Sequence, residues 1–434
     1  MASVTRRGFT GFGAGLMGLA AAACGGATQT GAGAGGDATK SRQPLTLRVN
    51  HRTEKYIPEV GKQFTQKYPH ITVEYLPDTG YEKLVAQLAA GDVGDLMWLS
   101  TGVGTYFELA SQGHLLQLDS IVAADKYDLK QLFPRAVAVA KIVDNKQFGM
   151  PNLIHPSHIG LFYNKSLFDT AGVKPPTMSS SYDDLATTAR QIMAAKPGTW
   201  GIQTETSFPA LLVFVRSFGG EMLEPATLGK KPAMDKGPAK QALQWLFDVR
   251  HKHKAHPLPT DKVEFNNGDV AMITTGMWGQ TRQTQIGDRF QMDAVLVPKG
   301  PGGKRGSQGH VDMWGMYAKT RQRDAAWLLL KHHTSREVAP LLFGESGIPG
   351  ARPDAWAETV SKASPMFKVF KEFMDNPAPE QLAVPYNLKM QEYQTAVQKA
   401  LEPLWKGEMS VDATVGAAMG PIQQQLDLPR AGVR

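Results

Sequence analysis

Leu45, Leu47 and Val49 alternate with polar residues, the period-two signature of a half-buried strand. Over 54–68 the apolar positions become Ile57, Val60, Phe64 and Tyr68, a helical spacing stopped by Pro69. Ile71-Thr-Val-Glu-Tyr-Leu76 predicts a second strand, and Thr79-Gly-Tyr-Glu-Lys-Leu opens a helix with Leu84, Val85 and Leu88 on one face. Gly94-Asp-Leu-Met-Trp-Leu99 is almost wholly apolar, as expected of a strand covered on both faces. This β-α-β-α-β order predicts a mainly parallel, doubly wound sheet.

The pattern restarts after Gly149. His158-Ile-Gly-Leu-Phe-Tyr163 is a predicted strand, and helices are expected near 165–171, 181–195, 207–218 and 236–252. A short helix at 262–268 leads into a strand at 269–274, and Asp293 to Val297 forms another, ending at Pro298. Asp324 to His332 is amphipathic, and the last hundred residues read as helical with breaks near Pro349, Pro377 and Pro385. No fixed-period repeat runs through the chain, which excludes a solenoid.

The N-terminus departs from this pattern. Thr5-Arg6-Arg7-Gly8-Phe9 is a twin-arginine pair, and a weakly apolar stretch from Gly11 to Ala23 follows. That stretch is shorter than the roughly 20 residues a membrane span needs. It ends at Ala21-Ala22-Ala23-Cys24-Gly25, small residues before the only cysteine of the chain. Residues 1–23 are therefore read as a lipoprotein signal peptide of the twin-arginine route, with Cys24 as the lipid-bearing mature N-terminus. Residues 24–43, rich in Gly, Ala, Thr and Ser, read as a flexible tether. Gly31 to Gly36 spells G-x-G-x-x-G, but no strand precedes it and no amphipathic helix follows, which excludes a dinucleotide site. One cysteine also excludes an intramolecular disulfide and a cysteine-based zinc cluster. The formal charge of +7 is spread along 434 residues and does not point to nucleic acid.

Several segments acquire meaning together. Leu161-Phe-Tyr-Asn-Lys-Ser-Leu-Phe-Asp-Thr-Ala-Gly-Val-Lys-Pro-Pro176 closely resembles a signature segment of extracellular solute-binding proteins of bacterial ABC importers, in the carbohydrate-binding branch that includes maltodextrin-binding proteins. Ser181-Tyr-Asp-Asp-Leu185 stands where that family starts its next helix, with Tyr182 in place of Trp. Phe265-Asn-Asn-Gly-Asp-Val-Ala-Met-Ile-Thr-Thr-Gly-Met-Trp278, the Pro/Gly loop Val297–Gly303, Asp324-Ala-Ala-Trp-Leu-Leu-Leu-Lys331 with Thr334-Ser-Arg-Glu337, and Gly347-Ile-Pro-Gly-Ala-Arg352 match further segments in the family's order.

The resemblance implies an α/β fold of two hinged lobes, each a doubly wound sheet flanked by helices, with the ligand in the cleft between them. Crossings are expected near 155–160, 297–300 and 338–345. Lobe one is then 44–154 plus 300–338, and lobe two is 160–297 plus 345–434. The implied role is capture of a sugar or oligosaccharide and its delivery to an ABC permease with a cytoplasmic ATPase. The protein is expected to be an extracytoplasmic monomer, tied to the membrane by its lipid alone, with no cofactor and no bound metal.

A sugar presents hydroxyl rims and apolar C–H faces, so its cleft needs polar side chains interleaved with aromatics at the ends of strands. Candidates after the first and third strands are Asn50, His51, Arg52, Ser100 and Thr101. Trp98 is open to a cleft or a core position. Asn152, His155 and His158 precede the Tyr163-Asn164 segment, where the family lines its cleft. Glu205 and Phe208 follow the Trp200 strand, and Trp278 corresponds to a stacking aromatic. Asp312, Trp314, Arg352 and Tyr386 complete the set.

Enzymatic readings find little: no H-E-x-x-H, no G-x-S-x-G and no nucleophilic Cys, which leaves a secreted carbohydrate-active enzyme as a remote alternative. His251-Lys-His-Lys-Ala-His256 is read as a solvated helix end, because Lys252 and Lys254 repel a cation. Arg52 and Arg352 keep an anionic sugar or a glycerophosphodiester open as ligand.

Overall fold

The structure, a computed structural model, describes residues 43–51, 54–76, 80–102, 104–226, 228–360, 364–375 and 386–428. The signal peptide, Cys24, the tether up to residue 42, and Arg52 lie outside these. Among the described residues there are eleven strands: β1 (Leu45–Asn50), β2 (Ile71–Leu76), β3 (Leu96–Ser100), β4 (Gly149–Ser157), β5 (Gly160–Asn164), β6 (Trp200–Thr204), β7 (Leu223–Glu224), β8 (Lys231–Pro232), β9 (Val270–Thr275), β10 (Met292–Leu296) and β11 (Gln308–Met316). They form a five-stranded sheet in the order β2-β1-β3-β11-β4, a four-stranded sheet β10-β5-β9-β6, and a small hairpin of β7 and β8.

The α/β class and the helices flanking each sheet agree with the sequence pattern. Within the sheets the pairing is mixed. β1 runs parallel to β2 and β3, and β6 runs parallel to β9. The pairs β3–β11, β11–β4, β5–β10 and β5–β9 are antiparallel. The reason lies in the connections. β4 and β11 reach the first sheet through segments that pass to or from the second sheet, and such strands need not follow the right-handed β-α-β crossover that makes neighbours parallel. The chain leaves β4 for β5 through His158 and Ile159, and leaves β10 for β11 through residues 297–307.

β4 itself has no clear sequence signal, because Pro151 and Pro156 interrupt it. It survives as a nine-residue strand because it is the sheet edge, where a residue without an N–H costs no ladder bond. Its register against β11 shifts between Asp312 and Met313, and Asn152 is the extra residue there. Three helices between β3 and β4, Thr105–Ser111, Asp119–Ala124 and Pro134–Ala140, are too short to show the periodicity that marks the longer ones.

Local chemistry explains the signature segment after β5. Asn164 caps the helix Lys165–Ala171 by accepting from the Leu167 N–H, and Gly172 ends it in the left-handed region at φ 63°. Ser181 and Asp184 form a reciprocal capping box on the helix Tyr182–Ala195. The expected helix over 262–268 is a single 3-10 turn, Phe265–Asn267. The His-rich segment is not simply solvated: His256 is buried, its Nε2 accepting from the Thr204 N–H at 2.8 Å.

One hydrophobic cluster runs through both main sheets, from Leu47, Val49 and Leu99 to Phe162, Ile202 and Met272. A second packs the helices Phe208–Ser217 and Gly237–Phe247 against Met390–Ala400 and Val411–Asp427. The helix Met390–Ala400 also reaches the first sheet's helices. The Gln391 N–H donates to the Glu108 carboxyl at 2.7 Å, and Gln394 Nε2 donates to the Gly102 carbonyl at 2.8 Å. Likewise the Glu345 carboxylate, on the helix Ala339–Ser346, accepts from the backbone N–H groups of Lys55 and Tyr56 at 2.8 and 2.6 Å.

Candidate functional site

Strand alternation sets the first half of the site. In the β3–β11–β4 register His310 lies opposite His155, Gln308 opposite Ser157, and Asp312 opposite both Ser100 and Leu153. Side chains two apart share a face, so Gln308, His310 and Asp312 stand beside Ser157, His155 and Ser100 on one face of the sheet. His310 Nε2 meets Asp312 Oδ1 at 2.9 Å and Ser100 Oγ at 2.7 Å. The His155 ring stacks on His310 with centroids 4.8 Å apart. Gly102 is required beside them, since a Cβ there would stand 2.1 Å from His310 Cε1.

The second sheet supplies the other half. Trp278 sits on the 3-10 turn Met277–Thr281 after β9 and stays partly exposed. It meets His155 and His158 edge to face, at 5.4 and 5.0 Å. His158 lies at the crossing with φ 56°, in the left-handed region that few residues other than glycine adopt and in which His, with Asn and Asp, is over-represented. Its Nε2 is 2.9 Å from Glu205 Oε2, and Thr275 Oγ1 donates to Glu205 Oε1. A cavity of about 590 Å³ continues from Glu205, lined among others by Thr204, Asn266, Thr274, Arg282 and Gln285.

Two ionisation states follow. Burial, reinforced by His310, pushes His155 down to about 3, so its imidazole is neutral at physiological pH. Burial opposes ionisation of Glu205, but the bonds from His158 and Thr275 outweigh it and hold the carboxyl below its usual range.

Ser100, His310 and Asp312 are the residue types of a nucleophilic triad, but not its arrangement. The serine and the carboxylate meet the same ring nitrogen, Nε2, whereas a relay needs the carboxylate on Nδ1. What the cluster offers instead is unmet hydrogen-bonding capacity. Among the described residues, Gln308 Oε1 and Nε2, Ser307 Oγ, Asn152 Oδ1, Thr274 Oγ1 and His310 Nδ1 are buried with no protein partner. Each such group costs about 1–3 kcal/mol if left unpaired.

Of the residues expected at a site, the structure brings Ser100, His155, His158, Glu205, Trp278 and Asp312 together. Others stand apart. Phe208 is fully buried in the second cluster, 5.5 Å from the Tyr393 ring. Trp314 is also fully buried, its ring tilted against that of His333 with centroids 4.2 Å apart. In both, apolar area is best used in a core. Asn50 Oδ1 accepts from the Gly94 N–H, and Thr101 Oγ1 accepts from the Val311 N–H, so both serve the backbone. Arg352 is held by Asp354 in two bonds, at 3.0 and 2.8 Å, and by Gln131 at 2.6 Å, which pins its turn. Tyr386 packs on Phe107 at 4.9 Å, and His51 lies edge-on to Tyr75 at 5.1 Å. Asn152 serves both fold and site: its Nδ2 reaches Tyr56 Oη at 3.4 Å, while its Oδ1 is one of the unmet atoms of the site. Sequence reasoning passed over His310 and Gln308. The signal was available, because both lie at even spacing from Asp312 on a strand.

These features define a two-sheet α/β protein with a polar, histidine-rich seam where the chain crosses between sheets. The sequence profile of the bacterial extracellular solute-binding proteins matches residues 50–340, and the chain belongs to that family. A binding protein of Brucella abortus is 26% identical over 292 residues, covering 64% of this chain and 68% of its own. Among solved structures, an ABC substrate-binding protein from Listeria monocytogenes in complex with cycloalternan superposes with a TM-score of 0.80 at 20% identity, covering 89% of this chain and all of that one. The GacH receptor of Streptomyces glaucescens, solved unliganded and with acarbose, gives 0.74 at 21% identity, over 88% and 98% of the two chains. A maltose-bound protein of T. maritima gives 0.72 at 20%, over 88% and 98%. Among the described residues no helix is long and apolar enough to cross a membrane.

Proposed function

We propose that this protein is the substrate-binding lipoprotein of an ABC importer, capturing a sugar or oligosaccharide between two hinged lobes and passing it to a membrane permease. Lobe one comprises 44–154 plus 300–338, and lobe two 160–297 plus 345–434. The observation that carries the reading is the pairing of unmet buried polar atoms, on Gln308, Ser307, Asn152, Thr274 and His310, with one partly exposed indole, Trp278. Hydroxyl rims supply the missing partners and a C–H face covers the indole. Solved proteins of the same fold carry cycloalternan, acarbose and maltose. Ligand favours the closed form through its higher affinity for it. Export is by the twin-arginine route, and Cys24 carries the lipid.

A thermal-shift screen against neutral sugars, sugar acids and glycerophosphodiesters tests the ligand class, since binding to the native state raises the midpoint. Trp278→Ala is expected to weaken affinity for the best hit by more than about tenfold while the protein stays folded, in line with about 1.4 kcal/mol or more for a buried stacking contact. Unchanged affinity by titration calorimetry removes the stacking role.

A further inference from the structure

His155, His310 and Asp312 have a chemistry that carbohydrate capture does not require. Each offers one donor atom, and the three donor atoms lie within 4.8 Å of one another. The arrangement is built by the sheet: His155 and His310 are register partners, and Asp312 lies two residues along the same face of β11. His155 and Asp312 are only 3% and 5% exposed, so neither is a surface side chain that happens to pass nearby.

We propose that His155, His310 and Asp312 form a binding site for a divalent transition ion of the zinc type. Two imidazoles and one carboxylate are the nitrogen and oxygen donors such ions take, and three protein ligands leave a position open for a ligand oxygen. His310 Nε2 and Asp312 Oδ1, now hydrogen-bonded at 2.9 Å, need to open by only a few tenths of an ångström to reach the roughly 3.3 Å that separates two donors about 2.0–2.1 Å from a tetrahedral ion. His310 Nε2 exchanges its bond to Ser100 Oγ for the ion.

The geometry also dictates what moves. The two imidazole planes are 21° from parallel, and a nitrogen lone pair lies in its ring plane, so ligation turns His155 out of the stack. Its ring hydrogen bond, between Nδ1 and the Pro156 carbonyl at 3.4 Å, is long and offers little resistance. The turn also changes the edge contact of His155 with Trp278. The site goes beyond the carbohydrate reading and does not depend on it.

The test is calorimetric titration of metal-free protein with Zn²⁺, together with the visible absorption of the Co²⁺ form. One equivalent is expected to bind. His155→Ala and Asp312→Asn should each weaken it by at least about tenfold, the loss seen even when only a supporting group of a metal site is removed. Should His155→Ala fail to fold, Asp312→Asn, which keeps the side-chain volume, decides alone. A variant carrying His251→Ala and His253→Ala, in the other His-rich segment, should bind as before. Absence of one-equivalent binding, retention of full affinity in Asp312→Asn, or loss of binding in the His251/His253 variant each overturns the site. The titration contains no sugar and the sugar screen is run with chelator, so either reading can fail without the other.

Discussion

Glu108 offers the sharpest test of the energetics. It sits on the helix Thr105–Ser111 with 1% exposure, accepting from Tyr81 Oη and from the Gln391 N–H of the helix Met390–Ala400. Burial, with Glu392 also close by, pushes its carboxyl up to about 8 against the ordinary 4.5, although both hydrogen bonds oppose the shift. The folded state thus holds a proton that the unfolded chain releases near 4.5. Stability from this group is fully present below 4.5 and is lost as pH rises toward 8. Between pH ~5.5 and ~7 the unfolded chain is already ionised while the native carboxyl is not. The loss over that interval is then on the order of 2 kcal/mol, from 1.36 kcal/mol per pH unit. Glu108→Gln keeps the shape, accepts from Gln391 through its amide oxygen, and cannot ionise. Denaturant unfolding of both proteins at pH ~5.5 and pH ~7 should give a stability difference between them that changes by about that amount over the interval, the variant being the less pH-sensitive. Titrating histidines cancel in the difference. Parallel profiles would refute the assignment of a buried, protonated carboxyl at this contact.

Further outcomes are expected. Gly102→Ala should displace the His310 ring, because the added Cβ meets it at 2.1 Å, and should weaken ligand affinity more than it lowers the thermal midpoint. Equal binding by calorimetry would show that His310 is not part of the site. Burial first, and neighbouring positive groups second, push His155, His256 and His333 each down to about 3. Their stabilising neutral forms are fully present above the unfolded value near 6.5 and are lost as pH falls toward 3. A melting temperature that does not drop across that window would contradict their burial as neutral rings. Cys24→Ser should release the protein from the membrane fraction, and persistence there on fractionation would exclude the lipid anchor.

Much of the fold was legible in the sequence because the information is local. The alternation at Leu45, Leu47 and Val49, the helical spacing from Ile57 to Phe64, and the capping pair Ser181 and Asp184 each specify their own backbone within a few residues. The segment around Asn164 and Gly172 carries its own start and stop signals, so it reads as strand, cap, helix and left-handed end without reference to the rest of the chain. β4 was not legible. Two prolines argue against a strand, and only its place at the edge of a sheet whose other members lie far away in sequence makes them harmless.

The candidate site divides in the same way. The sequence by itself determined which chemistry was available: histidines and polar residues before β5, Glu205 after β6, an indole after β9, and Asp312 beyond the Pro/Gly loop. It could not determine which aromatics face a core. Phe208 and Trp314 have the same chemistry as Trp278, and only tertiary packing puts the first two at 0% exposure and leaves the third partly open. Nor could it bring His155 beside His310, a separation of 155 residues bridged by one antiparallel register. Local signals set dihedral angles over a few residues. Side chains distant in the chain meet only when sheet pairing and burial have fixed the register, and that is where the seam of histidines, carboxylates and unpaired polar atoms arises.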